Sequence, residues 1–182
     1  MIRTKPFSEA DIARLWEIER DPLVSKKMPG KIKSKQDLEE WLSDNIVYGI
    51  CDLQNNIIGF VQLYEMGNSL IKRLPIKNTK NLYEISFALP EKYRYTAGLV
   101  SSAVREVCTL FPKFQIVAFT HPDNLKSIRV LEKSGFTYLF KTKYHGNDRH
   151  ENMVYIKHPT SEVGDLPLPM WKISLPNESE DI

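Results

Sequence analysis

Side chains able to do chemistry concentrate in two stretches of the chain. In Leu82–Tyr83–Glu84–Ile85–Ser86–Phe87–Ala88–Leu89–Pro90, one carboxylate interrupts a β-branched, aromatic and apolar run. A carboxylate is costly to bury, so Glu84 faces water at a strand end, pairs with a loop lysine, or has a chemical role. A turn follows. From Leu99 onward, Leu99, Ala103, Val107 and Leu110 recur at helical spacing, and Val100, Val104 and Cys108 widen the same face. A helix N-terminus carries free N–H groups that attract an anion, and Gly98 lets backbone come close to one. Thr96–Ala97–Gly98 is therefore either a phosphate cradle or an ordinary strand-to-helix turn. The second stretch is Asn124–Leu125–Lys126–Ser127–Ile128–Arg129–Val130–Leu131–Glu132–Lys133–Ser134–Gly135–Phe136. Asn124 is a good helix N-cap, Leu125, Ile128 and Leu131 form a packing face, and Gly135 ends the helix in left-handed geometry. Ser127 reads as a capping hydroxyl on the Asn124 turn. Lys126, Arg129 and Lys133 make a basic stripe that faces either an anion or solvent, and His121 reads as structural.

The elements that position these residues follow from pattern and punctuation. Ile2 to Phe7 reads as a first strand, and Ser8 as the N-cap of a helix that Asp21–Pro22 stops. Residues 23–35 read as a lysine-rich loop, and Ser34 or Lys35 opens a short helix through Leu42. Ile46–Cys51 and Ile57–Tyr64 flank the polar turn 52–56 as a hairpin, with Gly59 marking a bulge or a close backbone approach. A long basic link covers 66–81. Phe114–Thr120 is apolar with little alternation, which predicts a central buried strand. Phe136–Tyr144 and Asn152–His158 predict two more strands. The order amounts to one mixed α/β sheet covered on both faces. Trp16 and Trp41 fall at core positions of their helices. Residues 159–182 form a proline-containing tail, of which 165–175 is expected to pack against the domain or a second subunit.

The whole chain narrows the function classes. Its 182 residues suit one domain with a sizeable core, here 1–158. A net charge of +2 is too mild to argue for nucleic acid. No apolar run approaches the roughly 20 residues of a membrane helix, and the N-terminus lacks the apolar core of a signal peptide. Cys51 and Cys108 match no metal spacing and read as reduced core thiols. Together these lead to the expectation of a cytoplasmic protein without a metal, a membrane or a nucleic-acid partner.

Residues 121–136 resemble the second cofactor motif of the GNAT superfamily of N-acetyltransferases. Asn124, Ser127, Lys133, Gly135 and Phe136 match it as they stand. With Ser127 and the run Arg129–Val130–Leu131–Glu132–Lys133, the stretch is most similar to the branch that acetylates ribosomal-protein N-termini. The resemblance implies a GNAT fold, a mixed, mostly antiparallel sheet of six to seven strands with helices on both faces. It implies an acetyl-CoA-dependent transfer to a primary amine, of a peptide or a small molecule, by direct attack in a ternary complex. A monomer or homodimer would suffice. In the family the strand end and the following turn bind the cofactor. Here that assigns Phe87, Ala88 and Leu89, then Arg94, Tyr95, Thr96, Ala97, Gly98, Leu99 and Val100, with Asn124 and Ser127 beside them. The turn departs from the family pattern at Tyr95, where a basic residue is usual, and at Val100, where a small one is; Arg94 sits one position early. Glu84 takes the position of the family base, and the backbone N–H of Ala88 that of the group polarising the thioester carbonyl. The usual acid, a tyrosine, is replaced by Leu131, which leaves Ser127 as the nearest hydroxyl. These departures keep a second reading open, a GNAT-fold module that binds acyl-CoA or a partner without transferring anything.

Overall fold

Among the residues described by the computed structural model (3–27, 32, 34–72, 74–76, 79–93, 98–143 and 151–160), seven strands form one sheet. They are β1 (Arg3–Pro6), β2 (Ile46–Cys51), β3 (Ile57–Glu65), β4 (Leu82–Ala88), β5 (Gln115–Thr120), β6 (Thr137–Thr142) and β7 (Asn152–Lys157). Their order is β1-β2-β3-β4-β5-β7-β6, and each neighbouring pair runs antiparallel except β4 with β5. That is the mixed, mostly antiparallel sheet expected from the sequence. Residues 94–97 and the tail from 161 onward lie outside the described residues, as do Lys31, Lys33 and Lys77 of the two basic loops.

Helices α1 (Ile12–Glu19), α2 (Pro22–Lys27) and α3 (Lys35–Asp44) cover one face of the sheet. Leu15, Ile18 and Leu38 pack there with Phe7, Val47 and Phe60, and Trp16 and Trp41 lean on the same cluster as core aromatics. The short helix α4 (Asn68–Ile71) continues the cover along that face, where Met66, Leu74, Leu82, Val117 and Ile156 cluster with Leu70 and Ile71. Helices α5 (Leu99–Leu110) and α6 (Leu125–Lys133) cover the other face, over Val61, Leu63, Ile85 and Ile116.

Local chemistry explains the boundaries. Ser34 closes a capping box on α3: its Oγ accepts from the Asp37 N–H at 3.0 Å, and the Asp37 carboxylate accepts from the Ser34 N–H at 3.0 Å. Asp52 ties the hairpin turn by accepting from the N–H groups of Gln54 and Asn56 at 2.9 and 2.8 Å. Three segments differ from the sequence reading, one of them the short helix α4 inside the stretch 66–81 expected as a link. Pro22 ends α1 as expected but also opens α2 where a loop was expected, because proline is preset for the first helical position and Asp21 accepts from Ser25 at 2.9 Å. Ser8 starts a short tight turn over Glu9–Asp11 before α1, its hydroxyl donating to Asp11 at 2.7 Å.

Glu19, in the last turn of α1, is buried, and its Oε1 has no hydrogen-bond partner among the described residues. Burial raises its carboxyl from 4.5 to about 7. An unfolded glutamate gives up its proton near the lower value and the folded one near the higher, so folding takes up a proton in between. Stability is therefore lost as pH rises through that window. Glu19→Gln should be isoenergetic with the wild type near about pH 4 and more stable by about 3 kcal/mol near about pH 8. Urea melts across that range check it; a difference that does not grow with pH would contradict it.

Candidate active site

The site begins where a ladder ends. Strands β4 and β5 pair in parallel at Leu82–Gln115, Tyr83–Ile116 and Glu84–Val117. Beyond that rung β4 runs on to Ala88 paired with β3, and β5 runs on to Thr120 paired with β7. The two central strands thus part just past Glu84 and leave a gap between their inner edges. Backbone groups alternate along a strand, which decides what faces the gap. The Leu82 carbonyl accepts from Met66 just after β3, whereas the Asn81 carbonyl accepts from Gln115 on β5. Even-numbered residues of β4 therefore direct their N–H and C=O to β3, and odd-numbered ones to β5. Ala88 is the rung partner of Phe60, so its N–H is turned to β3 and not to the gap. The N–H facing the gap is that of Phe87, so the direction expected of the Ala88 N–H is met by its neighbour.

Gly59 is what lets β3 lie so close. A Cβ there would stand 2.5 Å from the Ala88 carbonyl oxygen and 2.7 Å from a Leu89 methyl. The bulge expected at this glycine is present too: Ile50 faces Gly59 and Cys51 faces Ile57, which leaves Ile58 over.

On the helix α1–α3 face, β3 and β4 carry two polar rungs between apolar ones. Tyr64 stands opposite Glu84 and Gln62 opposite Ser86, while Phe60–Ala88 lies beyond one end and Leu82 beyond the other. Glu84 is 4% exposed. The Tyr64 hydroxyl donates to its carboxylate, and burial first, then the Glu84 charge, push the phenol far above its usual range, so it keeps its proton. Ser86 donates to the Gln62 side-chain oxygen at 3.0 Å, Gln62 donates to Asn45 at 3.0 Å, and Asn45 donates to the Trp41 carbonyl at 2.6 Å. Of these, sequence reasoning singled out Glu84 alone. The signal for the rest was legible as polar residues two apart, Gln62 with Tyr64 and Glu84 with Ser86, inside otherwise apolar strands.

On the opposite face, Gly98 holds the N-terminus of α5 in left-handed backbone, φ 76°. Among the described residues, a Cβ there would touch nothing within 4 Å. Among the described residues no side chain caps this end, and no acidic residue lies in its first turn. Leu99 is buried and Val100 half-buried. Arg94, Tyr95, Thr96 and Ala97, assigned to the same turn, are outside the described residues. On α6, the Asn124 side chain caps the helix by accepting from the Ser127 N–H at 3.4 Å, so the capping oxygen is Asn124's. Leu131 is 1% exposed in the core. Lys126, Arg129 and Lys133 are exposed, and His121 accepts from the Asp123 N–H at 3.2 Å in its own turn. Thr120, at the end of β5 on the α5–α6 side, has a buried Oγ1 with no partner among the described residues, a residue that sequence reasoning missed. Glu84 and Ser127 are thus on opposite faces of the sheet, with the gap between them. Among the described residues no group of His, Cys, Asp or Glu could hold a metal, and no helix is long and apolar enough to cross a membrane.

Known proteins share this fold. No curated protein matches the sequence. Solved structures that are similar include the aminoglycoside acetyltransferase AAC(6')-Ib with paromomycin and acetyl-CoA, at 20% identity and a TM-score of 0.70, covering 86% of this chain and 93% of that one. A GNAT-family acetyltransferase from Bacillus anthracis aligns at 21% identity and a TM-score of 0.67, over 88% and 96% of the two chains. A chimera of spermidine N-acetyltransferase from Vibrio cholerae and hSSAT aligns at 14% and 0.66, over 87% and 96%. The model of the acetyltransferase (GNAT) domain matches residues 2–137, most of the chain. The chain therefore belongs to the GNAT acetyltransferase family and is an acetyl-CoA-dependent acetyltransferase.

Proposed function

We propose that this enzyme acetylates a primary amine seated on the two polar rungs of β3 and β4, with Glu84 taking the amine's proton. The observation that carries the reading is the parting of β4 and β5 at the rung that holds a buried carboxylate. An acetyl group brought along the gap would meet an amine held at Glu84 from the other side of the sheet.

Three features of the described residues fit acetyl-CoA. The free N-terminus of α5, with open space at Gly98, suits a pyrophosphate. The inner edge of β4 past Glu84 offers N–H and C=O groups at Phe87 to an amide-bearing arm, next to Leu89. The buried, unpartnered Thr120 hydroxyl lies at the far lip. When bound, acetyl-CoA supplies an acetyl group already activated as a thioester.

The chain's own residues supply the rest. Glu84, oriented by the Tyr64 hydroxyl, accepts a proton from the ammonium and leaves a neutral nucleophile. The Phe87 N–H donates to the oxygen on which negative charge grows. Ser127, across the gap, offers a proton to the departing sulfur, and a thiol with a pKa near ~8.5 leaves tolerably well without one. The acceptor is a peptide N-terminus or a small amine. Resemblance over 121–136 to the ribosomal-protein N-terminal acetyltransferases supports the first, and the aminoglycoside and spermidine enzymes among the solved relatives support the breadth of the second. Exposed Lys35 and Lys72, in the segments covering this face, favour an acceptor without several positive charges.

Replacing Glu84 with Gln keeps shape and hydrogen bonding but removes the proton acceptor, so kcat should fall ~10²-fold or more while acetyl-CoA affinity persists. Thiol release and calorimetry read the two quantities. A wild-type rate would move the role elsewhere, and binding of CoA without thiol release by any amine would favour the non-catalytic module.

Gly98 allows the charge at the α5 N-terminus to be tested apart from backbone strain. Asn and Asp tolerate its left-handed conformation about equally. Gly98→Asp should raise the Kd for CoA about tenfold over Gly98→Asn, since a carboxylate would meet the pyrophosphate at close range. Equal affinities in the two variants would remove the phosphate from that site.

A further inference from the structure

The polar rung next to Glu84 has a direction built into its hydrogen bonds. The Trp41 carbonyl can only accept, so the end of Asn45 that meets it at 2.6 Å is the amide nitrogen. Asn45 therefore turns its oxygen to Gln62, and Gln62 must answer with its own nitrogen, at 3.0 Å. That places the Gln62 oxygen toward Ser86, whose hydroxyl donates to it at 3.0 Å. A hydroxyl has one proton and two lone pairs. With its proton committed to Gln62, Ser86 can only accept from anything else.

The relay is protected. Gln62 is 5% exposed, and low local polarity strengthens each bond in the chain. Ser86 itself is half-buried and lies two residues from Glu84 on the same face of β4, a spacing of about 7 Å. The wall beside Glu84 thus presents a carboxylate and a serine oxygen held as an acceptor. An acceptor molecule matches both when it carries, a few bonds from its amine, a second N–H or O–H group.

We propose that Ser86, polarised through Gln62 and Asn45, is a specificity subsite that selects amines bearing a second hydrogen-bond donor, as amino alcohols and α-amino amides do. This rests on the acceptor seat proposed above, and it adds the chemical class of what sits there. Gln62 and Asn45 are positioning residues: they act through Ser86 by holding its proton.

The test uses pairs of amines in which methyl replaces each donor hydrogen: ethanolamine with 2-methoxyethylamine, and glycinamide with its amide N,N-dimethyl form. Thiol release from acetyl-CoA gives KM for each. One hydrogen bond corresponds to about a fivefold difference, so the wild type should show KM lower by that factor for the donor-bearing member. Selection in the first pair alone points to amino alcohols, and in the second alone to the first amide of a peptide N-terminus. Ser86→Ala should bring the KM ratio to about one. Gln62→Met leaves the serine but frees its proton, so the hydroxyl can donate to a substrate oxygen as well as accept, and the ratio should likewise fall toward one. A wild type that turns over both members equally, or a preference that survives Ser86→Ala, would overturn the subsite while leaving the acetyltransferase reading intact. Turnover of neither pair would overturn the acceptor seat itself, and the subsite with it.

Discussion

Everything in this site depends on where two parallel strands stop pairing. Strand β4 is held by β3 as far as Ala88, and β5 by β7 as far as Thr120, so each keeps its outer ladder after the shared one has ended at Glu84–Val117. Outer pairing makes the opening tolerable, because an edge without a partner on both sides would have far more backbone to satisfy. What remains open is a pair of facing inner edges in an otherwise well-packed sheet. Such an edge suits a ligand that alternates donors and acceptors as a strand does, and it ends beside a carboxylate.

The polar residues around that carboxylate are arranged so that few of them are left wanting. A buried hydroxyl or amide without a partner costs about 1–3 kcal/mol, and the Ser86–Gln62–Asn45 chain avoids that by ending on a backbone carbonyl. Tyr64 does the same for Glu84. The apolar clusters at either end, around Phe60 with Ala88 and around Leu82 with Val117, exclude water from the polar pair without covering it. Gly59 contributes by letting β3 and β4 close up at the end of the strand that borders the gap.

Much of this was legible in the sequence, and the parts that were not share a cause. Element order followed from periodicity, and the Asn124 cap with the Gly135 terminus followed from local backbone chemistry that needs no tertiary partner. Gly98 likewise announced a helix start, and its positive φ matches. Helix α2 was missed because Pro22 signals both an end and a beginning, and the apolar residues that favour the second reading are few. The direction of the Ala88 N–H was missed for a different reason: counting from Glu84 cannot reveal which edge of a strand a residue faces until the neighbouring rungs are known. Tyr64, Gln62 and Asn45 come from two other elements and meet β4 only through register, which a single sequence carries faintly. Leu131, the departure that weakens the family's usual acid, is accounted for by its place in the core.

Amide exchange on the isotopically labelled enzyme tests the central claim most directly, because Phe87 and Ala88 are adjacent in sequence and face opposite edges of β4. With the gap as the seat of the acetyl donor, the Ala88 N–H should be protected with and without coenzyme A, while the Phe87 N–H should exchange readily alone and become protected when coenzyme A is added. A Phe87 amide already protected in the free enzyme, or one whose exchange coenzyme A leaves unchanged, would contradict it.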